Sequence, residues 1–159
     1  MLAIDQSGNK LLEFVKISEE DAALQFSPIT VCLIVVKIGK DYLMGFNHWR
    51  KGWEIFGGCP EKGETMRETM IRETKEELGI DCIPEWLGLA HFEMQPDYFS
   101  NVVREEYGAI FGVSLGEEYL EQIEKLRIDR EEIEKLALLG EISSDEEIRE
   151  LDRKLIEFY

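Results

Sequence analysis

Basic residues are scarce in this chain. Its 159 residues carry 18 Lys and Arg against 34 Asp and Glu, a formal net charge of −16. Such a deficit argues against a nucleic-acid polymer or an anionic membrane as the main partner, because both would repel it. Cysteine is almost as rare. Cys32, Cys59 and Cys82 are odd in number and form no CxxC pair or Cys/His cluster. That argues against a disulfide framework or a structural zinc site, and a reducing compartment suits the chain. Histidine appears twice, as the isolated His48 and His91, each read as a packed or surface residue. No long apolar run is present: the longest, Val31 to Val36, falls far short of a bilayer span. No basic stretch leads into an apolar run at Met1-Leu2-Ala3-Ile4-Asp5, so no secretory signal is read, and a soluble, cytoplasmic protein is expected. Repeats, low-complexity tracts and Pro/Ser-rich linkers are also missing, which predicts one domain over 1–159. What the chain does have is 44% apolar residues and 10% aromatics, enough for a core and too many for a disordered polyanion.

Residues 10–17 read as a first strand. Residues 29–38 are a β-branched, apolar run that suits a strand buried on both faces. Gly39-Lys40-Asp41 is a hairpin turn into 42–46, and 53–56 form a short strand ending at Gly57-Gly58. Thr65 and Glu68 stand in capping-box spacing, which starts a helix at Thr65 that stops at Gly79. Strand-length apolar stretches follow at 82–94 and 102–115. Helical spacing is read over 117–127 and 130–139, and Ser144 with Glu147 is expected to cap a last helix presenting Ile148, Leu151, Leu155 and Phe158 on one face. The order of elements predicts an α/β fold, a mixed-sheet α/β/α sandwich.

The informative segment runs from Gly58 to Ile80. On its helix, with Glu73 at the origin, Glu77 falls at about 40° and Glu76 at about 300°. Three carboxylates therefore crowd an arc of about 100°, where like charges at i, i+3 and i+4 repel. Met70, Ile71, Thr74 and Leu78 occupy the adjacent arc, the expected core face. Carboxylates at the buried edge call for a cation, and oxygen-only ligands suit Mg²⁺ or Mn²⁺ over zinc. A solvated acidic face is the simpler alternative on the wheel alone.

The full spacing decides between them. Five residues separate Gly58 from Glu64, seven separate Glu64 from Arg72-Glu73, and Glu76-Glu77 and Gly79 follow. This resembles the Nudix box, G-x5-E-x7-R-E-U-x-E-E-x-G-U with U apolar, and all seven fixed positions match. Thr74 stands at one apolar position, and Phe56 precedes the glycines where many members have proline. The run-in from Phe46 to Gly58 also looks like the family's strand-turn-strand lead.

The resemblance implies a Mg²⁺- or Mn²⁺-dependent hydrolase of a diphosphate linkage in a nucleoside diphosphate derivative or nucleoside triphosphate. It implies Glu73, Glu76 and Glu77 as metal ligands, with the Gly57 carbonyl as a further one. Arg72 would orient the carboxylates, Glu64 would support the metal shell, and Glu73 is one candidate base. A downstream glutamate is the other, with Glu117, Glu118, Glu131 and Glu132 all open. Arg50, Lys51 and Arg104 are candidate phosphate contacts. Phe46, Trp49, Trp53, Tyr98 and Phe99 are candidate pocket walls. Pro96 and Tyr98 sit near two different substrate markers of the family and do not discriminate. A nucleotide sensor and an isopentenyl-diphosphate isomerase-like enzyme are the alternatives, both disfavoured by the intact box. The expected partner is a small nucleotide, with a homodimer as a candidate assembly. The box itself holds six glutamates and four bases, a net of −2, whereas 117–159 hold fifteen acids and seven bases.

Overall fold

The computed structural model describes residues 1–159. The chain opens with β1 (Ala3–Ile4), β2 (Lys10–Val15) and the short α1 (Glu19–Gln25). It continues through β3 (Val31–Ile38), β4 (Asp41–Asn47), β5 (Gly52–Glu54), β6 (Phe56–Gly58) and α2 (Met66–Leu78). Two long strands, β7 (Glu85–Met94) and β8 (Arg104–Leu115), precede α3 (Tyr119–Leu126), β9 (Ile133–Leu138) and α4 (Glu150–Ile156).

The strands form one mixed sheet in the order β1-β2-β7-β8-β3-β4-β5, with β6 beside β3 and β9 beside β4. Only β3 and β8 run parallel, over the full length of β3. That leaves β3 a single remaining edge, which two strands share. β6 takes it at 32–34 and β4 takes it at 36–38. The sheet therefore forks beside β3, and Glu54 to Gly58 cross the fork.

Side chains of β3 alternate between two cores. Cys32, Ile34, Val36 and Ile38 face Met70 and Leu78 of α2 and Ile123 of α3. Val35 packs on the opposite side with Trp53, Ile55, Ile110 and Leu151, Leu155 and Ile156 of α4. Helices thus cover both faces, and the α/β/α sandwich read from the element order is the observed architecture. Phe158 stacks on Phe14 with ring centroids 4.1 Å apart, and the Tyr159 hydroxyl lies 2.9 Å from Ser114 Oγ. The C-terminal helix packs on its own sheet. No helix is long and apolar enough to cross a membrane.

α2 has the termini its sequence specifies. Glu68 N–H donates to Thr65 Oγ1 at 3.1 Å, and Thr65 N–H donates back to Glu68 Oε1 at 3.1 Å. Gly79 ends the helix in the left-handed region at φ 70°. Its buried face is rotated from the expected one. Thr69, Met70, Thr74, Glu77 and Leu78 are buried, whereas Ile71 is 41% exposed.

Four local readings are corrected. The segment expected to continue as helix over 130–139 is instead β9, because β4 has a free edge along 43–47 and pairing overrides the weak helical pattern. Ser144 caps nothing. Trp53 N–H donates to Glu147 O and Arg149 N–H donates to Trp53 O, both at 2.9 Å, so the chain stays extended there and α4 starts only at Glu150. The strand expected at 53–56 is two strands, β5 and β6, divided by the fork. α1, unread in the sequence, is capped by Ser18 Oγ accepting from Asp21 N–H at 3.1 Å.

Candidate active site

Two glycines let β6 lie directly on α2. Gly57 has φ 146°, and a Cβ there would lie 2.9 Å from Leu33 Cα and press on Cys32 O. Gly58 faces the helix, where a Cβ would stand 2.5 Å from Glu73 Cδ. With no side chain in the way, the Gly57 N–H donates to Glu77 Oε2 at 3.1 Å, and the Glu73 carboxylate slides beneath Gly58.

Glu77 is 2% exposed. Burial lifts its carboxyl well above the usual range and the nearby Glu73 lifts it further, against the Gly57 N–H, which favours the anion. Glu73 is raised for the same first reason, although the Arg72 guanidinium opposes it. The pair is a site of excess negative charge in a poorly solvated place.

Arg72 is the hub of the box. Its Nε and one terminal nitrogen donate to the two Glu64 oxygens at 2.8 and 3.0 Å. That terminal nitrogen also donates to the Cys59 carbonyl at 3.2 Å, and the other one donates to Glu73 Oε1 at 2.8 Å and lies 3.5 Å from Glu76 Oε1. Glu64 is held down to about 2, chiefly by Arg72 and then by the Glu61 backbone N–H. Glu64 therefore stays ionised and braces the guanidinium that spans the carboxylates. Glu76 is half-exposed at the outer end of this row.

Of the four downstream glutamates, the fold brings one to the site. Glu132 adds to the negative field on both Glu73 and Glu77, and its carboxylate lies 3.7 Å from an Arg50 nitrogen. Its own carboxyl is raised, first by burial and then by Asp129. Glu117 lies against Gly39 at the β3–β4 turn, and Glu118 folds back on Gly116. Glu131 lines a separate surface hollow with His48, Trp49, Arg130 and Glu134.

The structure adds a buried residue that the motif does not name. Glu54, on β5 at the fork, is 5% exposed. It accepts from Asn47 Nδ2 at 2.9 Å, from Arg50 at 3.0 and 3.1 Å, and from Arg149 at 3.2 Å. Its signal in the sequence is a lone carboxylate between Trp53 and Ile55, three residues before Gly57. Behind it, Asp152 is buried and accepts from Ile55 N–H at 3.0 Å. Burial pushes Asp152 up to about 6 despite Arg149.

The other candidates have different places. Trp53 and Phe46 pack together in the core, and Tyr98 and Phe99 project from the β7–β8 loop at 97% and 84% exposure. Arg104 is spent on Asp97 and Glu106. His91 stacks on Tyr107, and His48 contributes its backbone N–H to the Glu132 carbonyl at 2.8 Å. Beyond Arg50 a cleft of about 1010 Å³ opens, lined by Arg149, Arg153, Asp97 and Ser143 among others.

A hard divalent cation fits this donor set. Every donor is an oxygen, and the buried Glu77 with the partly buried Glu73 carries charge that Arg72 alone does not balance. The fit is one of chemistry, not of a preassembled cage: no three carboxylates converge on one point here, Glu73 being turned to Arg72 and Glu77 to the Gly57 N–H.

A family model described as the NUDIX domain matches residues 29–158. Among solved structures, the fold is similar to the Bacillus subtilis pyrophosphohydrolase BsRppH, at TM-score 0.64 and 19% identity over 95% of this chain and 87% of that one. The NUDIX domain of Shewanella oneidensis NrtR, complexed with ADP ribose, superposes at TM-score 0.61 and 12% identity over 89% of this chain and 96% of that one. The MutT protein of Methanosarcina mazei Go1 gives 0.59 and 17%, over 82% and 91%. No curated protein matches the sequence.

Proposed function

The chain belongs to the Nudix family, and on that premise we propose that it is a pyrophosphohydrolase dependent on Mg²⁺ or Mn²⁺. Its substrate is a nucleoside diphosphate derivative or a nucleoside triphosphate, cut at a diphosphate linkage. The observation that carries this reading is the buried Glu77 beside the partly buried Glu73 under Gly57-Gly58, with Glu132 from another part of the chain adding to the negative field on both. Glu73, Glu76, Glu77 and the Gly57 carbonyl would hold the cation. When bound, it would neutralise phosphate oxygens and lower the pKa of a water.

The remaining work falls to the chain's own groups. Arg72 holds Glu73 and Glu76 in one row, and Glu64 fixes the guanidinium that does so. Glu132, raised by burial above the usual carboxylate range, accepts the proton of the attacking water. Arg50 stands between Glu54, Glu132 and the cleft, where it can exchange its carboxylate partners for a substrate phosphate. The cleft beyond Arg50 takes the group attached to the diphosphate.

The same reading takes 1–159 as one unit, because β2, which precedes the matched span, pairs with β7 inside it. A panel of nucleoside triphosphates, dinucleoside polyphosphates and ADP-ribose, assayed with Mg²⁺ and Mn²⁺, tests the function and names the substrate. Turnover that falls by orders of magnitude in Glu76→Gln supports it. Tight binding of a panel member with no turnover would make the protein a nucleotide sensor instead.

A further inference from the structure

Glu132 has its backbone fixed from both sides. Asp129 Oδ1 accepts the N–H of Glu131 at 3.1 Å and that of Glu132 at 3.0 Å. The Glu132 carbonyl accepts from His48 N–H at 2.8 Å. The loop that carries Asp129 is in turn bound to the box helix. Ile128 N–H and Asp129 N–H both donate to the Glu76 carbonyl, at 2.9 and 2.8 Å. Gly79 admits this approach, since a Cβ there would lie 2.5 Å from Arg127 N and press on the Leu126 carbonyl. On the far side Arg127, buried, donates to the carbonyls of Ile133 at 2.6 Å and Glu134 at 3.2 Å.

An exposed loop between a helix and an edge strand has no folding need for so many ties. All of them converge on one outcome: a fixed distance between the end of the box helix and the backbone of Glu132. We propose that Asp129 is a positioning residue, which sets Glu132 against Glu73 and Glu77 through the loop it bonds to the Glu76 carbonyl. The proposal rests on the catalytic reading of Glu132 given above. Asp129 acts through the backbone: its Oδ1 accepts the N–H groups of Glu131 and Glu132. What it needs is an acceptor oxygen at that point, so asparagine can replace it and alanine cannot.

The test combines amide exchange with steady-state kinetics. In metal-free protein, Asp129→Ala loses protection at the Glu131 and Glu132 amides, and Asp129→Asn retains it. With Mn²⁺ and the panel substrate of highest turnover, Asp129→Ala lowers kcat on the order of 10²-fold, the effect of an ångström-scale misplacement, with KM little changed. Asp129→Asn restores kcat, and both variants melt cooperatively. Glu132→Gln, measured alongside, falls at least as far as Asp129→Ala. If Asp129→Ala keeps its kcat while Glu132→Gln loses it, the positioning role is wrong and the role of Glu132 stands. If Glu132→Gln keeps its kcat, the catalytic reading of Glu132 fails and the proposal with it. An Asp129→Asn variant as impaired as Asp129→Ala would also overturn it, since charge and not the acceptor would then matter.

Discussion

Gly58→Ala separates the chemistry of the site from the stability of the fold. The new methyl carbon would stand 2.5 Å from Glu73 Cδ and 2.9 Å from Glu73 Oε2. Ordinary contact begins near 3.4 Å, so the carboxylate must retreat by about 1 Å, a displacement that costs on the order of 10²-fold in rate when it misplaces a group in the reaction. The obstacle is the far end of a flexible side chain, and an off-rotamer shift there costs only about 0.5–1.5 kcal/mol. The neighbouring glycine predicts the opposite balance. At Gly57 the methyl meets the β3 backbone at Cys32 and Leu33, and φ 146° is a conformation that L residues rarely adopt. Backbone strain of that kind costs about 1–3 kcal/mol before any clash is added.

The assay is a paired one. Thermal melts and kcat/KM with Mn²⁺ are recorded for both alanine variants and for the parent. Gly58→Ala melts within a few degrees of the parent and loses about two orders of magnitude in kcat/KM. Gly57→Ala loses stability first. A Gly58→Ala enzyme with parental activity would mean that Glu73 acts from some other position than the one beneath β6, and the ligand assignment would fall with it.

Three further outcomes follow from the geometry. Arg72→Lys keeps the charge but cannot donate to both Glu64 oxygens and Glu73 together, so activity or metal affinity should drop roughly 10- to 100-fold; parental kinetics would show that the fork is dispensable. Asp152, pushed up to about 6 from a usual 3.8, holds its proton more tightly in the folded chain than in the unfolded one. Its contribution to stability is therefore full below the unfolded value, fades as pH rises through about 6, and amounts to about 3 kcal/mol in total. Urea midpoints for the parent and Asp152→Asn should diverge between about pH 4 and pH 6, with the parent losing ground; parallel curves would show that Asp152 is ionised throughout. Met70→Ala opens a cavity beneath α2 where the side chain is fully buried, and should cost about 2–5 kcal/mol in a denaturant titration.

What the sequence reveals here is what is local. The Thr65–Glu68 box and Gly79 are contacts within one helix, and their spacing alone fixed both ends of α2. The carboxylate arc is equally local. The wheel supplies angles but no reference direction, and it is Glu77, not Ile71, that the fold turns inward. β9 departs from its sequence pattern for a related reason. Ile133, Leu136 and Ala137 stand at i, i+3 and i+4 as a helical stripe would, and the free edge of β4 that decides the matter is about ninety residues away.

The site divides along the same line. Glu64, Arg72, Glu73, Glu76 and Glu77 share one loop and helix, so residue spacing determines their arrangement. Glu54 and Glu132 reach it through the fork in the sheet and the loop before β9, and nothing in their spacing from the box says so. Four downstream glutamates were equivalent by position in the chain. They stop being equivalent once Ile128 and Asp129 bond to the Glu76 carbonyl and His48 bonds to the Glu132 carbonyl. The net charge shows the same dependence on context. A surplus of acids spread over 117–159 predicts repulsion of anionic polymers wherever it lies. Only the fold shows that one of those acids, Glu132, adds to the negative field on Glu73 and Glu77 instead of to the solvated surface. The negative field at the box is thus built from two distant stretches of the chain, and neutralising Glu132 should weaken Mn²⁺ affinity, read by titration calorimetry, as well as turnover; parental affinity would show that its charge does not reach the box.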